Sequence, residues 1–343
     1  MRALIATVAV LLLAAVAIAI ASGTSPGPVI AYTQFRTIAD IALYVAGPGG
    51  THEVGHGQDP SVPPDGRMVS SSAFGSNGPA LTIYETAGGR SHSFFNNRVI
   101  AVPLAWSPDS RYLAVLLDAD GPRITSTGLA VIDPTTMTAR TVVTGVIRGA
   151  SFAPSRPDRL VYGYEARSEP VEDPVVSLRT VSPDGSDPAQ LTTDGNSLQP
   201  LWTTKGIVYD RETRRSAGVL PTYQLWRLRG GHSTQLTRMT PRALVAELVP
   251  LAASANGNRL IAEYEGPGVI IPLAVQLSPR RVRALATAGT KLQAVGISPD
   301  GRTLLLEHRA SAFPTHEGVV ETVPFGGGQP TRIASGDTAA WSG

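Results

Sequence analysis

One short segment returns along the whole length of this chain and constrains its fold more than any other feature. The fullest copy is Leu104-Ala105-Trp106-Ser107-Pro108-Asp109-Ser110-Arg111, followed by an apolar run from Tyr112 to Leu117. Val295-Gly296-Ile297-Ser298-Pro299-Asp300-Gly301-Arg302 repeats it ahead of Thr303 to Leu306. Weaker copies centre on Val62, Phe152, Trp202 and Ala253, and a last one is Ala339-Ala340-Trp341-Ser342-Gly343. With the Trp106 position as anchor, the copies fall at 62, 106, 152, 202, 253, 297 and 341, at gaps of 44, 46, 50, 51, 44 and 44 residues.

Each interval carries the same order of signals. After Trp106 and its Pro-Asp turn come an apolar strand over 111–117, a loop with Gly121-Pro122, and a second strand over 128–132. The turn Asp133-Pro134-Thr135 and a strand over 139–143 complete the unit. Counting the anchor strand, that is a four-stranded antiparallel sheet repeated every 40–50 residues or so, the pattern of an all-β β-propeller. Residues 28–57 hold three such strands and no anchor, so the orphan strand 339–342 is expected to join them and remove two open sheet edges. Seven anchors predict seven blades over 29–343, or six if the copy at Val62 or Ala253 is a false repeat.

The Trp-Ser-Pro-Asp-Gly-Arg-like turn followed by an apolar strand resembles the repeat of TolB-type propellers, also called WD40-like or PD40 repeats. The resemblance runs over 28–343 and is fullest at 106–117 and 297–306. It implies a propeller and points to the envelope complexes in which TolB-type proteins act. No counterpart of the TolB N-terminal α/β domain is recognisable, nor of the hydrolase half that accompanies such repeats in prolyl oligopeptidase-like enzymes.

The motif residues have structural work of their own. Proline fixes φ at the first corner of a tight turn, aspartate accepts from the turn backbone, and glycine takes the positive φ. Trp106, Phe152, Trp202 and Trp341 are expected to fill the space between neighbouring blades.

With 42% apolar residues the chain has ample material for a large core. Its net charge of +2 gives no argument for nucleic acid, and the absence of cysteine excludes disulfides, thiol catalysis and lipid attachment to a cysteine. Arg2 precedes an uncharged apolar stretch from Leu4 to Ala21, broken by Ser22-Gly23-Thr24-Ser25-Pro26-Gly27-Pro28. Residues 1–22 fit either a cleaved signal peptide or an uncleaved signal anchor, with 23–28 as a tether. Either reading places the propeller outside the cytoplasmic membrane, attached to it or secreted.

Two catalytic patterns occur out of context. His52-Glu53-Val54-Gly55-His56 matches the zinc-protease signature, whose chemistry needs both histidines on one helix face. Here the repeat demands a strand, on which positions four apart are about 13 Å distant. Gly23-Thr24-Ser25-Pro26-Gly27 matches a nucleophile elbow but lies in the tether, without a strand before it or a helix after it. His92, His232, His308 and His316 form no spaced pair. No cofactor, metal or catalytic set is expected.

Charge collects instead after the second strand of three blades, in segments 118–127, 165–174 and 307–317. Loops gathered on one rim are where propellers bind ligands. Asp118, Asp120, Glu165, Glu169, Glu172, Asp173, Arg309 and His316 are therefore the candidate partner-binding residues. The expected function is a monomeric, non-enzymatic scaffold binding a protein or peptide partner in the cell envelope. The alternative is a small-molecule enzyme, lactonase- or lyase-like, with its site in the central channel.

Overall fold

A computed structural model describes residues 28–37, 40–72, 81–95, 99–119, 126–166, 175–216, 219–238, 247–266, 269–285, 292–308 and 318–342. They form seven four-stranded antiparallel sheets and no helix. Blades two to seven start at inner strands Gln58–Ser61, Val99–Trp106, Val146–Ala153, Leu201–Thr203, Glu247–Ala253 and Leu292–Ile297. The first blade takes its inner strand, Asp337–Trp341, from the other end of the chain, and it pairs with Ile30–Thr37. Both weak copies head blades of their own, which settles the count at seven.

The turn motif recurs because its side chains do one job. In the third blade, Ser107 Oγ donates to Asp109 Oδ1 and accepts from Tyr112 N, while Arg111 N donates to Asp109 Oδ1. The seventh blade repeats these bonds with Ser298, Asp300, Arg302 and Thr303, and the sixth with Ser254, Asn256, Asn258 and Arg259. Gly301 sits at φ 71° and Gly257 at φ 64°; Ser110 holds the same left-handed turn at φ 61°. Its Oγ accepts from Asp65 N in the second blade, a bond between blades that glycine cannot make.

The core consists of seven seams. Val29, Ala31 and Leu43 meet Val62 and Val69 between blades one and two, and Leu81 and Ile83 meet Trp106 and Leu113 in the next seam. The sequence of seams continues through Phe152 with Leu129, Tyr209 with Leu178, Leu260 with Leu225, and Leu304 with Ile261. Leu305 and Val320 packing on Ile30 and Tyr32 complete the ring. The anchor aromatics thus pack between blades, as expected. Burial of such side chains, at roughly 25 cal/mol per Å² of apolar surface, is the main force holding blade to blade.

Among the described residues no helix is long and apolar enough to cross a membrane. The apolar stretch 4–21 and the tether to Gly27 lie outside the described residues.

Candidate functional site

The anchors end their inner strands at one rim, so all seven blades contribute to a single mouth of the central channel. It is a cavity of about 540 Å³ lined by Trp106, Phe152, Trp202 and Trp341, with Pro64, Pro108, Pro154 and Pro299 among its wall residues. Trp202, Leu251, Ala252 and Trp341 are only half-buried there, and Thr204 and Ala255 are exposed. A concave, partly wetted apolar surface of this kind is where proteins receive ligands.

The opposite end of the seams has contrary chemistry. Leu113, Leu160, Ile207, Leu260 and Leu304 pair directly with the anchors of their blades. Three residues further on stand Asp210, Glu263 and Glu307, and five further on Asp118, Glu165, Glu212 and Glu265. Odd offsets from the paired residue share one face of a strand. Ala114, Val208, Ile261 and Leu305, one residue on, pack in the seam with the following blade, so the acids continue that face. Each seam from the third blade onward runs from apolar at the mouth to acidic at the far rim.

These carboxyls are sheltered rather than solvated: Asp118, Glu165, Asp210, Glu263 and Glu307 are between 0 and 7% exposed. Glu165 is neutralised by Arg148, whose Nη2 lies 2.8 Å from Oε2. Glu247 accepts from Gln199 Nε2 at 3.0 Å, and Glu263 Oε1 accepts from Ala294 N of the next blade at 2.5 Å. Burial pushes Glu263 up to about 8, helped by Glu265 and Glu307 and opposed by the Ala294 amide. Burial also raises Glu247, with the Glu265 charge adding to it. Asp210 is raised well above the usual carboxylate range, first by burial and then by Glu247 and Glu265. Its own backbone amide opposes the rise, and neither carboxyl oxygen has a hydrogen-bond partner from another residue.

Sequence reasoning missed this collar as a set. Asp118 and Glu165, expected at the starts of partner-binding loops, belong to the ends of strands Leu113–Ala119 and Arg156–Glu165 and are buried. Asp120, Glu169, Glu172, Asp173, Arg309 and His316 lie outside the described residues. The available signal was a lone carboxylate breaking the apolar second strand at a constant phase, as in Leu304-Leu305-Leu306-Glu307.

The zinc-protease look-alike falls on strand Gly50–His56. His52 Nε2 is 2.7 Å from Thr86 O, whereas His56 Nδ1 is 2.9 Å from Asp40 Oδ1. Its glycine has a packing reason: a Cβ on Gly55 would lie 2.1 Å from the Tyr84 ring. Among the described residues no three His, Cys, Asp or Glu are grouped to hold a metal ion. His52→Ala and His56→Ala should leave metal content and any hydrolytic activity unchanged. Stoichiometric zinc lost in either variant would overturn this reading.

No protein-family profile matches the chain, and no curated protein matches it in sequence. Solved structures do. An oligogalacturonate lyase in complex with manganese superposes with TM-score 0.57 at 12% identity, covering 78% of this chain and 79% of that one. TolB from Acinetobacter baumannii gives 0.52 at 13% identity, covering 92% of this chain and 82% of that one. The tricorn protease gives 0.56 at 11% identity, covering 93% of this chain but 36% of its own. At such identities the likeness establishes the propeller fold alone.

Proposed function

We propose that this chain is an extracytoplasmic, TolB-like binding propeller: a non-enzymatic scaffold that receives a protein or peptide segment in the anchor-lined mouth of its channel. The mouth itself carries this reading, because all seven repeats converge there on one apolar surface, with Trp202 and Trp341 half-buried among its prolines and Trp106 and Phe152 buried. An extended segment docks on such surfaces with apolar side chains seated between rings, as in proline-rich recognition. Placement outside the cytoplasm rests on Arg2 and the apolar stretch 4–21. The charged segments 118–127, 165–174 and 307–317, which follow strands ending at the far rim, are the competing contact surface.

The two surfaces separate experimentally. Leu251→Arg puts a charge at the mouth and should lower recovery of a crosslinked envelope partner at least tenfold without unfolding the ring. Replacing the three loops by short Gly-Ser turns should leave recovery intact. The reverse pattern would move the site to the far rim, with Glu169, Glu172 and Asp173 its most sensitive acids.

The acidic collar supports a second reading, a small-molecule enzyme that uses the buried carboxyls at the far-rim ends of the seams. A buried carboxyl such as Glu263, titrating near 8, has the protonation range that general acid–base catalysis at neutral pH uses. The fold likeness to an oligogalacturonate lyase makes an acidic glycan a natural first substrate to try. Glu263→Gln should abolish any turnover detected; full retention would sink this alternative.

A further inference from the structure

Charge is segregated along this chain in a way its net value conceals. Residues 213–246 contain six arginines (Arg214, Arg215, Arg227, Arg229, Arg238 and Arg242) and no acid. Residues 266–299 contain Arg280, Arg281, Arg283 and Lys291, again with no acid. These two stretches carry +10, against +2 for the whole chain, so the remainder carries −8. The acids of the fifth and sixth blades, Asp210, Glu212, Glu247, Glu263 and Glu265, instead stand at the far-rim end of the seams.

At the rim of the channel mouth this segregation meets a cleft. Between the fifth and sixth blades lies an open cavity of about 460 Å³ whose lining includes Lys205, Arg227, Arg229, Asn256, Asn258 and Ser278, and no carboxylate. Arg227 and Arg229 are two residues apart on strand Val219–Arg229, so both face the sixth blade. Lys205 comes from the short turn between Leu201–Thr203 and Gly206–Ser216. Among the described residues no carboxylate pairs with any of the three. Asn256 uses its Oδ1 to accept from Ser254 Oγ and Asn258 N, which leaves its amide NH₂ as a donor at the cleft. Arg280 holds the seam beside it by donating to Gln235 O across the two blades at 3.4 Å.

We propose that this cleft binds a phosphate-class oxyanion carrying two or more negative charges, of the size of a diphosphate group. Three uncompensated cations in one small cleft call for a compact multivalent anion, since a single carboxylate would neutralise only one. Two arginine forks and a lysine point charge are the usual means of holding phosphate oxygens. A soluble diphosphate and a lipid headgroup both present this chemistry. Val29, the second described residue, enters the ring on this same rim, its amide donating to Ser342 Oγ.

Calorimetry on the full chain at low salt, with inorganic diphosphate as probe, tests the site. Sedimentation with phosphatidylglycerol or phosphatidylcholine vesicles distinguishes the sources. Arg229→Glu and Lys205→Gln, both at exposed positions, should keep the wild-type melting temperature. Diphosphate affinity should fall at least tenfold in the first and about threefold in the second, and wild-type affinity should weaken as salt rises. Binding to phosphatidylglycerol vesicles alone, reduced in the same variants, assigns the site to a headgroup; binding to diphosphate alone assigns it to a soluble ligand. If both probes fail, or bind both variants as well as wild type, the proposal is wrong.

Discussion

Deleting residues 338–343 is expected to destabilise the entire ring, not to fray one end. Strand Asp337–Trp341 pairs Trp341 with Ile30, Ala340 with Ala31 and Ala339 with Tyr32. Ser342 clamps the start of the partner strand, accepting from Val29 N at 2.8 Å and donating its own amide to Val29 O at 2.9 Å. Thr338 Oγ1 adds a 2.9 Å bond to Thr33 Oγ1. Losing the half-buried Trp341 side chain alone should cost on the order of 1–3 kcal/mol, less than removal of a fully buried tryptophan. The truncation also strips the inner strand from the first blade and uncovers Ile30, Tyr32, Leu305 and Val320. Against a total stability of roughly 5–15 kcal/mol, a melting temperature lower by about 10 °C or more is expected, with loss of a sharp transition. Trp341→Ala should show a smaller shift in the same direction. A truncated chain melting cooperatively at the wild-type temperature would show that the ring does not depend on its closing strand.

Stability should fall as the solution becomes alkaline, and the acidic collar is the cause. In the unfolded chain Asp210, Glu247 and Glu263 titrate near 4. Folding raises all three, Glu263 to about 8, so the folded state keeps protons that the unfolded chain has released. Their contribution is therefore complete below pH 4, declines above it, and for Glu263 is gone once pH has passed about 8. The charges facing Glu263 are Glu265 of its own blade and Glu307 of the next, and both oppose ionisation. Urea unfolding at pH 5 and pH 9 should differ by on the order of a few kcal/mol in the wild type. Glu263→Gln keeps an oxygen to accept from Ala294 N and removes the titration, so its profile should be flatter. Asp210→Asn should act likewise. Parallel profiles for wild type and both variants would mean that the collar is solvated and titrates normally.

The fold was legible because its signal is local and chemical. A serine, an aspartate and a glycine at fixed spacing make the same turn bonds wherever they occur, and the weaker copies show which part matters. The sixth blade has lost the aromatic, with Ala253 at the anchor, yet keeps the turn through Ser254, Asn256 and Gly257. The fifth has Thr203-Thr204-Lys205-Gly206, a shorter turn in which Thr203 Oγ1 donates to Gly206 O and accepts from Lys205 N. The collar was illegible for the opposite reason. Asp118, Glu165 and Glu307 each look like the first residue of a polar loop. Only the register with the anchor strand shows that they share a face and point into a seam. The basic cleft escaped notice because Lys205, Arg227 and Asn256 come together from two blades, on two turns and one strand.

Photocrosslinking from the channel mouth tests the proposed function most directly. A photoreactive side chain at Thr204 or Ala255, both exposed on the mouth wall, should capture one discrete partner in intact cells, with the adduct mapping to a single extended segment. Purified segment should compete for the adduct, and the same group at Ala189 or Ala284 on outer strands should capture nothing specific. Equal capture from the outer positions, or none from the mouth together with capture from the loops at 165–174 or 307–317, would contradict a ligand-binding mouth.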